Sequence, residues 1–396
     1  MSGKLVPMQN TDTSCYDLVL RGGRVFDPGA DIDRNASIAF RNGCIEAILS
    51  PDDNVVSTEV RDVSGKLVVP GLIDLHTHVF TDVTWVSVDA ESVARASGTT
   101  TMVDAGSSGA GNFPGFLRYV IEPSPLRILA FLNIAYPGIH ACGPGYSVCE
   151  SADMELLNVP EAVRICLEHR EHIVGIKVRV GQITSGGAGI LPLITAIEVG
   201  EQTGLPVMAH LDYAPPTYSE VLETLRPGDM LTHAFWPPPA GPLDSEGHVF
   251  PGVHTARERG VLLDAAHGKK AFSFETARRM LDAGCPPDTI SSDVSTLCID
   301  GPSYNVLVTM SKFLNLGMSL PDVIRATTHN PTRAMGRSDI GTLRPGSAGD
   351  ATVLEVREGD YHFQDSTGAP LRASKALHLA GMVVRGQWWE TGNCKL

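Results

Sequence analysis

From Tyr16 onward the chain alternates short apolar runs with polar or glycine-rich breaks, as in DLVLRGGRVFDPG, NASIAFRNGCIEAI and EVRDVSGKLVVPG. A period of two predicts strands, and Gly-Gly, Asp-Pro-Gly and Asn-Gly are hairpin signals. The C-terminal stretch is written the same way, in IGTLRPGSAGDATVLEV and ALHLAGMVVRGQWWE. Neither end carries a long helical period. Residues 16–70 and 339–396 are therefore expected to form one small β-sandwich domain built from both chain ends, after a loose polar tail over 1–15.

Between the ends the pattern changes. Near-continuous apolar runs recur near 67–78 and at 99–106, 127–135, 173–180, 205–210, 229–235, 260–268 and 288–294. Most are separated by stretches of helical spacing, such as VPEAVRICLEHREHI and SFETARRMLDAG. Runs apolar on both faces suit parallel strands covered by helices. Eight such βα repeats predict an α/β fold, a (β/α)8 TIM barrel over 71–338, with a doubly wound open sheet as the alternative. The connections 136–158 and 236–254 are too long for simple links. Both are rich in Gly and Pro and follow strand ends, so they read as rims or lids over a site, or as variable surface insertions.

Composition narrows the partners. Lysine and arginine number 31 against 45 aspartates and glutamates, a net charge of −14, which argues against nucleic acid or an anionic membrane. The start has no apolar core of a signal peptide and no apolar run reaches membrane-spanning length, so a cytoplasmic location is expected. The 8 cysteines are scattered with no CxxC pair and are expected to be free thiols. The 40 glycines and 27 prolines are spread along the chain as punctuation between elements.

The sharpest chemistry is His76-Thr77-His78 at the end of an apolar run, preceded by Asp74. Alternation in a strand puts both imidazoles on one face, about 7 Å apart, where they can share a metal. Other runs also end in ligand-type residues: Lys177 and Arg179 on the fourth, His210 and Asp212 on the fifth, His233 on the sixth, Asp293 on the eighth. Lys177 is out of place as a bare ammonium in a barrel mouth. Carboxylation by CO2 would make it an anionic ligand with two arms. Four imidazoles and two anions suit zinc or a similar divalent ion.

In VVPGLIDLHTH, GIKVR, MAHLD, LTHAF and SSDVS, with LGMSLPDVIRATTHNPTRAMG and IGTLRPGSAGDATVL behind them, the chain resembles the amidohydrolase superfamily in its binuclear, carboxylated-lysine form. The resemblance runs from about residue 16 to the end and is nearest to the deacetylase-like, dihydroorotase-like group. It implies two divalent metal ions. His76, His78 and Asp293 would hold one, His210 and His233 the other, and carboxylated Lys177 would bridge them. It further implies a bridging hydroxide as nucleophile and Asp293 as the group that takes its proton and passes it to the leaving group.

Substrate residues are less sharply marked. Dihydroorotases and many relatives carry an arginine two residues after the second histidine, where this chain has Phe80. Arg179 is the candidate replacement, a planar fork for a substrate carboxylate, with a structural ion pair as the other reading. His267 is a candidate donor to the substrate or its leaving group, and Tyr136 to the oxyanion; Asp212 could support His210 or be a rim carboxylate. His140, His248 and His254 read as loop histidines, His169 and His172 as surface, His329 and the Trp388-Trp389 pair as packing. The expected activity is removal of an acyl group, acetyl foremost, from a small carboxylate such as an N-acyl amino acid or O-acyl α-hydroxy acid. Opening of a cyclic amide, in the manner of a hydantoinase or dihydroorotase, is the alternative. A non-catalytic scaffold conflicts with a full ligand set. A homo-oligomer is compatible, with no interface marked.

Overall fold

Residues 15–143, 145 and 148–392 are described in the computed structural model, so all but the last residue of the expected tail lies outside them. Strands β1 (Tyr16–Asp27) and β2 (Ile32–Arg41) pair antiparallel from Leu18↔Phe40 to Asp27↔Ile32. Asp27 builds their turn by accepting from Gly29 N at 3.0 Å and Ala30 N at 3.1 Å. Its second oxygen accepts from Thr342 Oγ1 at 2.7 Å and Leu343 N at 2.8 Å, so one buried carboxylate ties the two chain ends together. The next hairpin turns on Asn42 and Gly43, with φ of 52° and 75°, the left-handed pair that a two-residue turn requires. It leads into β3 (Cys44–Leu49); β4 (Ser57–Asp62) and β5 (Leu67–Pro70) then run parallel to β1.

The middle of the chain supplies β6 (Leu72–Thr77), β7 (Thr99–Gly109), β8 (Arg127–Asn133), β9 (Ile173–Val180), β10 (Val207–Leu211), β11 (Met230–Thr232) and β12 (Leu262–Leu263). They pair in sequence order, all parallel, in one curled sheet. Seven of the eight predicted runs are thus strands. The eighth, 288–294, is irregular but bridges both edges, Asp264↔Thr289 and Thr77↔Val294. Asp293 N donates to His76 O at 2.8 Å, and Ala265 N to Thr289 O at 2.9 Å. Within this run, Thr289 and Ser291 donate their hydroxyls to the buried carboxylate of Asp264, and Ser292 donates to that of Asp74.

Both faces of the sheet are buried, which accounts for the near-continuous apolar runs. Ile73, Val103, Ala105, Leu129, Phe131, Met208 and Met230 form one buried cluster, on the side that carries the site. Met102, Ile128, Leu132, Ile176, Val178, Ala209 and Leu231 pack with the covering helices. Asp89, Asn158, Thr217, Ser273, Asn305 and Ser319 cap six of those helices, each side-chain oxygen accepting from the backbone N–H three residues on. No helix among the described residues is long and apolar enough to cross a membrane.

The C-terminal β13 (Ala351–Gln364), β14 (Pro370–Val384) and β15 (Gln387–Trp389) return to the first strands. The order is β15-β14-β13-β5-β1-β2-β3, with β4 also on β1. Both chain ends combine, with pairing running through β5 in one hydrogen-bonded eight-stranded sheet. One expectation about cysteines is corrected. The loop after β8 doubles back, bringing the Cα atoms of Cys142 and Cys149 to 4.3 Å, and the two are joined by a disulfide. Cys15, Cys44, Cys166, Cys285 and Cys298 are free, and Cys394 lies outside the described residues.

Candidate active site

Six ligand-type side chains meet at the C-terminal ends of the parallel strands. His76, His78, Lys177, His210, His233 and Asp293 all line one cavity of about 440 Å³. Asp293 Oδ1 lies 3.5 Å from His76 Nε2 and 3.3 Å from His78 Nε2. Lys177 Nζ is 3.3 Å from His76 Nε2. The rings of His210 and His233 are 4.4 Å apart, and those of His76 and His233 4.9 Å. Two backbone features aim these groups. Between Asp74 and Thr77 β6 spends three steps where β7 spends two, Met102 to Asp104, a bulge that re-aims the side chains beyond it. His233 and Asp293 sit at φ of 58° and 50°, a left-handed conformation that costs a non-glycine residue roughly 1–2 kcal/mol.

Each of three imidazoles is held by its Nδ1. His76 Nδ1 meets Thr232 Oγ1 at 2.8 Å, and that hydroxyl donates to Asp264 Oδ2 at 2.8 Å. His78 Nδ1 meets Ser107 Oγ at 2.9 Å, and Asp104 accepts from Ser107 N at 2.7 Å. His233 Nδ1 donates to Ala266 O at 2.7 Å. This leaves the Nε2 lone pairs for the centre of the cavity. Burial holds His76 and His210 well below the ordinary imidazole range and brings His233 down to about 4, so these rings are neutral donors at pH 7. Deeper still, Asp74 accepts from Ser292 N at 2.9 Å and Ser292 Oγ at 2.5 Å, tying β6 to the closing run, and burial pushes its carboxyl up to about 7. Asp264, Asp104, Thr232 and Ser107 were missed in the sequence reading.

The donor set fits a divalent metal centre. His76, His78 and Asp293 place ligand atoms within 4.8 Å of one another. Lys177 is fully buried, and among the described residues its Nζ has His76 Nε2 and, at 3.5 Å, Met208 Sδ within hydrogen-bond reach. Neither neutralises an ammonium. Burial brings Lys177 down to about 7, so free amine is available near neutral pH.

Other predicted residues fall elsewhere. Arg179 faces the cavity, but its fork is already filled: Nε meets Glu150 Oε1 at 2.5 Å and Nη2 meets Oε2 at 2.7 Å. Glu150 is completely buried in the loop after β8. His267 is a correction. It does not line the cavity; its Nε2 accepts from Lys312 Nζ at 2.7 Å, its Nδ1 donates to Gly268 O at 2.9 Å, and its ring stacks on Phe272. Tyr136 is also displaced. It is 43% exposed with its ring over Gly111, because the chain turns outward at that point, and it does not line the cavity. Phe80 packs on Phe116, away from the site. Asp212 lines the cavity and accepts from Ile183 N, Thr184 N and Tyr213 N, ordering the loop after β9. His140 Nδ1 donates to Val83 O at 2.8 Å, and His248 is exposed beside Asp244. His254 lies against Cys285, His169 against Phe113, and His329 under Gly29.

The two long connections contribute walls: Ile139 and Cys142 from one, Trp236 from the other, with Trp85, Tyr213 and Leu297 beside them. Lys269 and Lys270 complete the rim. Two buried polar atoms of lining residues, Thr184 Oγ1 and Trp236 Nε1, have no hydrogen-bond partner among the described residues. Leaving such a group unpaired costs about 1–3 kcal/mol.

Comparison with known proteins agrees with this geometry. The pattern of the amidohydrolase family matches residues 67–388. A deacetylase of Brucella anthropi is 33% identical over 344 residues, covering 87% of this chain and 85% of its own. A deacetylase of Agrobacterium fabrum is 33% identical over 359 residues, covering 91% and 88%. Among solved structures, one described as a dihydroorotase superposes with a TM-score of 0.87 at 29% identity, covering 96% of this chain and 98% of that one. One described as an adenine deaminase gives 0.88 at 27% identity, covering 94% and 99%. The chain is a hydrolase and belongs to the amidohydrolase family.

Proposed function

We propose that the protein is a metal-dependent deacylase, acting on an amide or ester of a small carboxylic acid such as an N-acyl amino acid or an O-acyl α-hydroxy acid. The observation that carries this reading is the convergence of six ligand-type groups on one cavity, with three imidazoles oriented by their Nδ1 partners and a buried lysine that makes no direct ion pair among the described residues. The 33% identity to proteins named deacetylase supports the acyl group as what is removed. On this reading the curled sheet and its bridging eighth run act as a closed (β/α)8 barrel over 71–338. The sheet of the chain ends, 16–70 with 339–396, is the companion domain.

His76, His78 and Asp293 would hold one divalent ion, zinc foremost, and His210 and His233 the second, with Lys177 bridging as its carbamate. Ions held there supply Lewis acidity, lowering the pKa of a water and polarising the scissile carbonyl. The remaining work belongs to the chain. Asp293 accepts a proton at its carboxylate and returns it to the leaving group. Gly268 makes room for that carboxylate, since a Cβ there would lie 2.3 Å from Asp293 Oδ2. Neutral His76, His210 and His233 keep their lone pairs available, and the aromatic walls limit bulk water. Arg179, its fork committed to Glu150, contributes positive charge to the wall but not a free bidentate clamp.

Opening of a cyclic amide is the second reading, favoured by the likeness to the structure described as a dihydroorotase. Phe80, packed away from the cavity, leaves that reading without an arginine at the usual position. A panel of N-acetyl amino acids, O-acetyl α-hydroxy acids and cyclic imides, assayed on zinc-loaded protein, separates the two. Turnover confined to the imides would overturn the deacylase reading.

A further inference from the structure

Burial is graded along the cavity. His76, His78 and His233 at its floor are at most 7% exposed, whereas Trp85, Leu297, Tyr213 and Ile183 line the same cavity and are 43%, 47%, 38% and 61% exposed. Large apolar side chains open to water are ordinary when scattered singly, as Val56 and Leu167 are outside this cavity. Four gathered at the mouth of one cavity mark a surface that a ligand covers.

The four are held as two fixed units. In the first, Trp85 Nε1 donates to Cys142 O at 3.0 Å, Thr296 Oγ1 donates to Trp85 O at 2.9 Å, and Thr296 N donates to Val86 O at 2.9 Å. Leu297 follows Thr296 directly, so the same bonds set both apolar side chains. In the second, Asp212 Oδ1 accepts from Ile183 N at 3.2 Å and Tyr213 N at 2.5 Å, and Gln182 N donates to Tyr213 O at 2.6 Å. The Tyr213 ring is supported by that of Trp236, 5.9 Å away. The first unit follows β6 and the eighth run, which bridge each other; the second follows β9 and β10, which pair. β7 and β8 separate them on one side, β11 and β12 on the other, so the two units face the mouth from opposite sides. Apolar faces already fixed in place cost little ordering when a ligand arrives.

The charges of the lining favour the same kind of ligand. Its two carboxylates are engaged, Asp293 in the ligand set and Asp212 by the three N–H groups it accepts. A cationic side chain would meet no free carboxylate there. Arg179 is committed to Glu150, and Lys269 donates to Gly301 O at 3.2 Å. Lys270 is the remaining charge, on the exposed rim, where an ion pair contributes little.

We propose that Trp85, Leu297, Ile183 and Tyr213 set the specificity of the site, and that the acid whose acyl group is removed carries a bulky apolar side chain of the size of leucine or phenylalanine. The inference rests on the deacylase reading. With the scissile carbonyl at the buried ligand set, the side chain of the acid extends to the mouth and covers the four apolar surfaces. A methyl side chain would leave them in water, and a charged one would lose hydration against them without a partner. A cavity of about 440 Å³ has room for both ends of such a molecule.

The test measures Kd by titration calorimetry on zinc-loaded Asp293→Asn protein, so that ligand is bound without turnover. The probes are the Nα-acetyl derivatives of leucine, phenylalanine, alanine, aspartate and lysine, each enantiomer separately. In the better-bound enantiomeric series, the leucine and phenylalanine derivatives should bind at least about tenfold more tightly than the alanine derivative, as burial of the added carbons predicts. The aspartate and lysine derivatives should bind no more tightly than alanine. Ile183→Ser, Leu297→Ser and Trp85→Ala should each narrow the phenylalanine-to-alanine ratio by about threefold or more. Ile183 and Leu297 are open to water, so their exchange spares the core. Leu167→Ser, outside the cavity, should leave the ratio unchanged. Equal binding of the phenylalanine and alanine derivatives, a preference for aspartate or lysine, binding of no probe, or a ratio that survives all three substitutions would overturn the assignment. The two readings fail separately, as kcat/KM of the Asp293-intact protein on the same series and on O-acetyl lactate and phenyllactate shows. Apolar-selective binding with no hydrolysis of any acyl acid refutes the deacylase reading alone. Hydrolysis without apolar preference refutes the specificity assignment alone.

Discussion

Thr232→Val tests the geometry that makes His76 a ligand. The Thr232 hydroxyl stands between His76 Nδ1 and Asp264 Oδ2, at 2.8 Å from each. It can donate only to the carboxylate, so it accepts from Nδ1–H and leaves the His76 lone pair on Nε2. Valine preserves the shape and removes both bonds. Thr232 is 1% exposed, and the next acceptor for Nδ1 is Asp264 Oδ2 at 3.7 Å, beyond hydrogen-bond range. An unpaired buried Nδ1–H and a lost bond to a carboxylate together cost about 2–4 kcal/mol of stability. Freed to change tautomer or rotate, His76 should lose about 10–100-fold in metal affinity, as when the outer partner of a ligand histidine is removed. The assay is metal retention against a graded chelator, beside urea denaturation of the metal-free form. Ser291→Ala is the control. It takes a hydroxyl from Asp264 at 2.7 Å without touching His76, so it should lower stability and leave metal affinity unchanged. The reasoning is refuted if Thr232→Val holds metal as tightly as wild type. It is also refuted if Ser291→Ala releases metal equally, since the effect would then run through Asp264 and not the tautomer.

Three further outcomes follow. Asp293→Asn should keep its metal and lose about 10²–10⁴-fold in kcat, read by initial rates beside metal analysis; retained turnover would remove Asp293 from proton transfer. Carbamate formation on Lys177 needs the uncharged amine, and burial places its pKa at about 7. At fixed dissolved CO2, reactivation of decarboxylated protein should therefore accelerate about tenfold per pH unit below 7 and level off above it; a rate that falls as pH rises would contradict the assignment. Lys312 Nζ donates to Pro302 O, Gln364 O and His267 Nε2, at 2.7, 2.8 and 2.7 Å. Burial pulls its pKa down to about 7, against the opposing pull of the Asp365 carboxylate. Lys312→Met should cost about 3 kcal/mol or more in urea denaturation, since buried acceptors on three separate segments lose their donor; a variant as stable as wild type would show that this strut contributes nothing.

The residues readable from the chain alone are those whose meaning is local. His76 and His78 declare themselves because strand alternation puts them together, and Lys177 because a bare ammonium near the end of an apolar run is out of place in a barrel mouth. The curled sheet was readable because two buried faces leave near-continuous apolar runs. Contacts across the fold were not. Thr232 and Asp264 reach His76 from strands 156 residues or more away in sequence, and nothing in LTHAF or LLDAAHG marks them as its support. Glu150 sits in a Gly- and Pro-rich loop where burial is invisible, so Arg179 looked free for a substrate. His267 and Tyr136 were placed by their nearness to strand ends, but the backbone turns both away from the cavity. The hydrogen-bonded sheet of the chain ends depends on β5 bridging β1 and β13, a pairing of positions such as Ala351 and Pro70, at opposite ends of the sequence, that alternation cannot reveal. The disulfide required the loop to double back, which spacing alone does not report.

The most direct test of a binuclear centre built on Lys177 is metal content per chain, measured by elemental analysis after reconstitution with zinc and bicarbonate and removal of excess. Wild type should retain about two zinc ions per chain, and Lys177→Ala about one or fewer, as the bridging arm is lost. Wild type that retains none, or Lys177→Ala that retains two, would contradict the account.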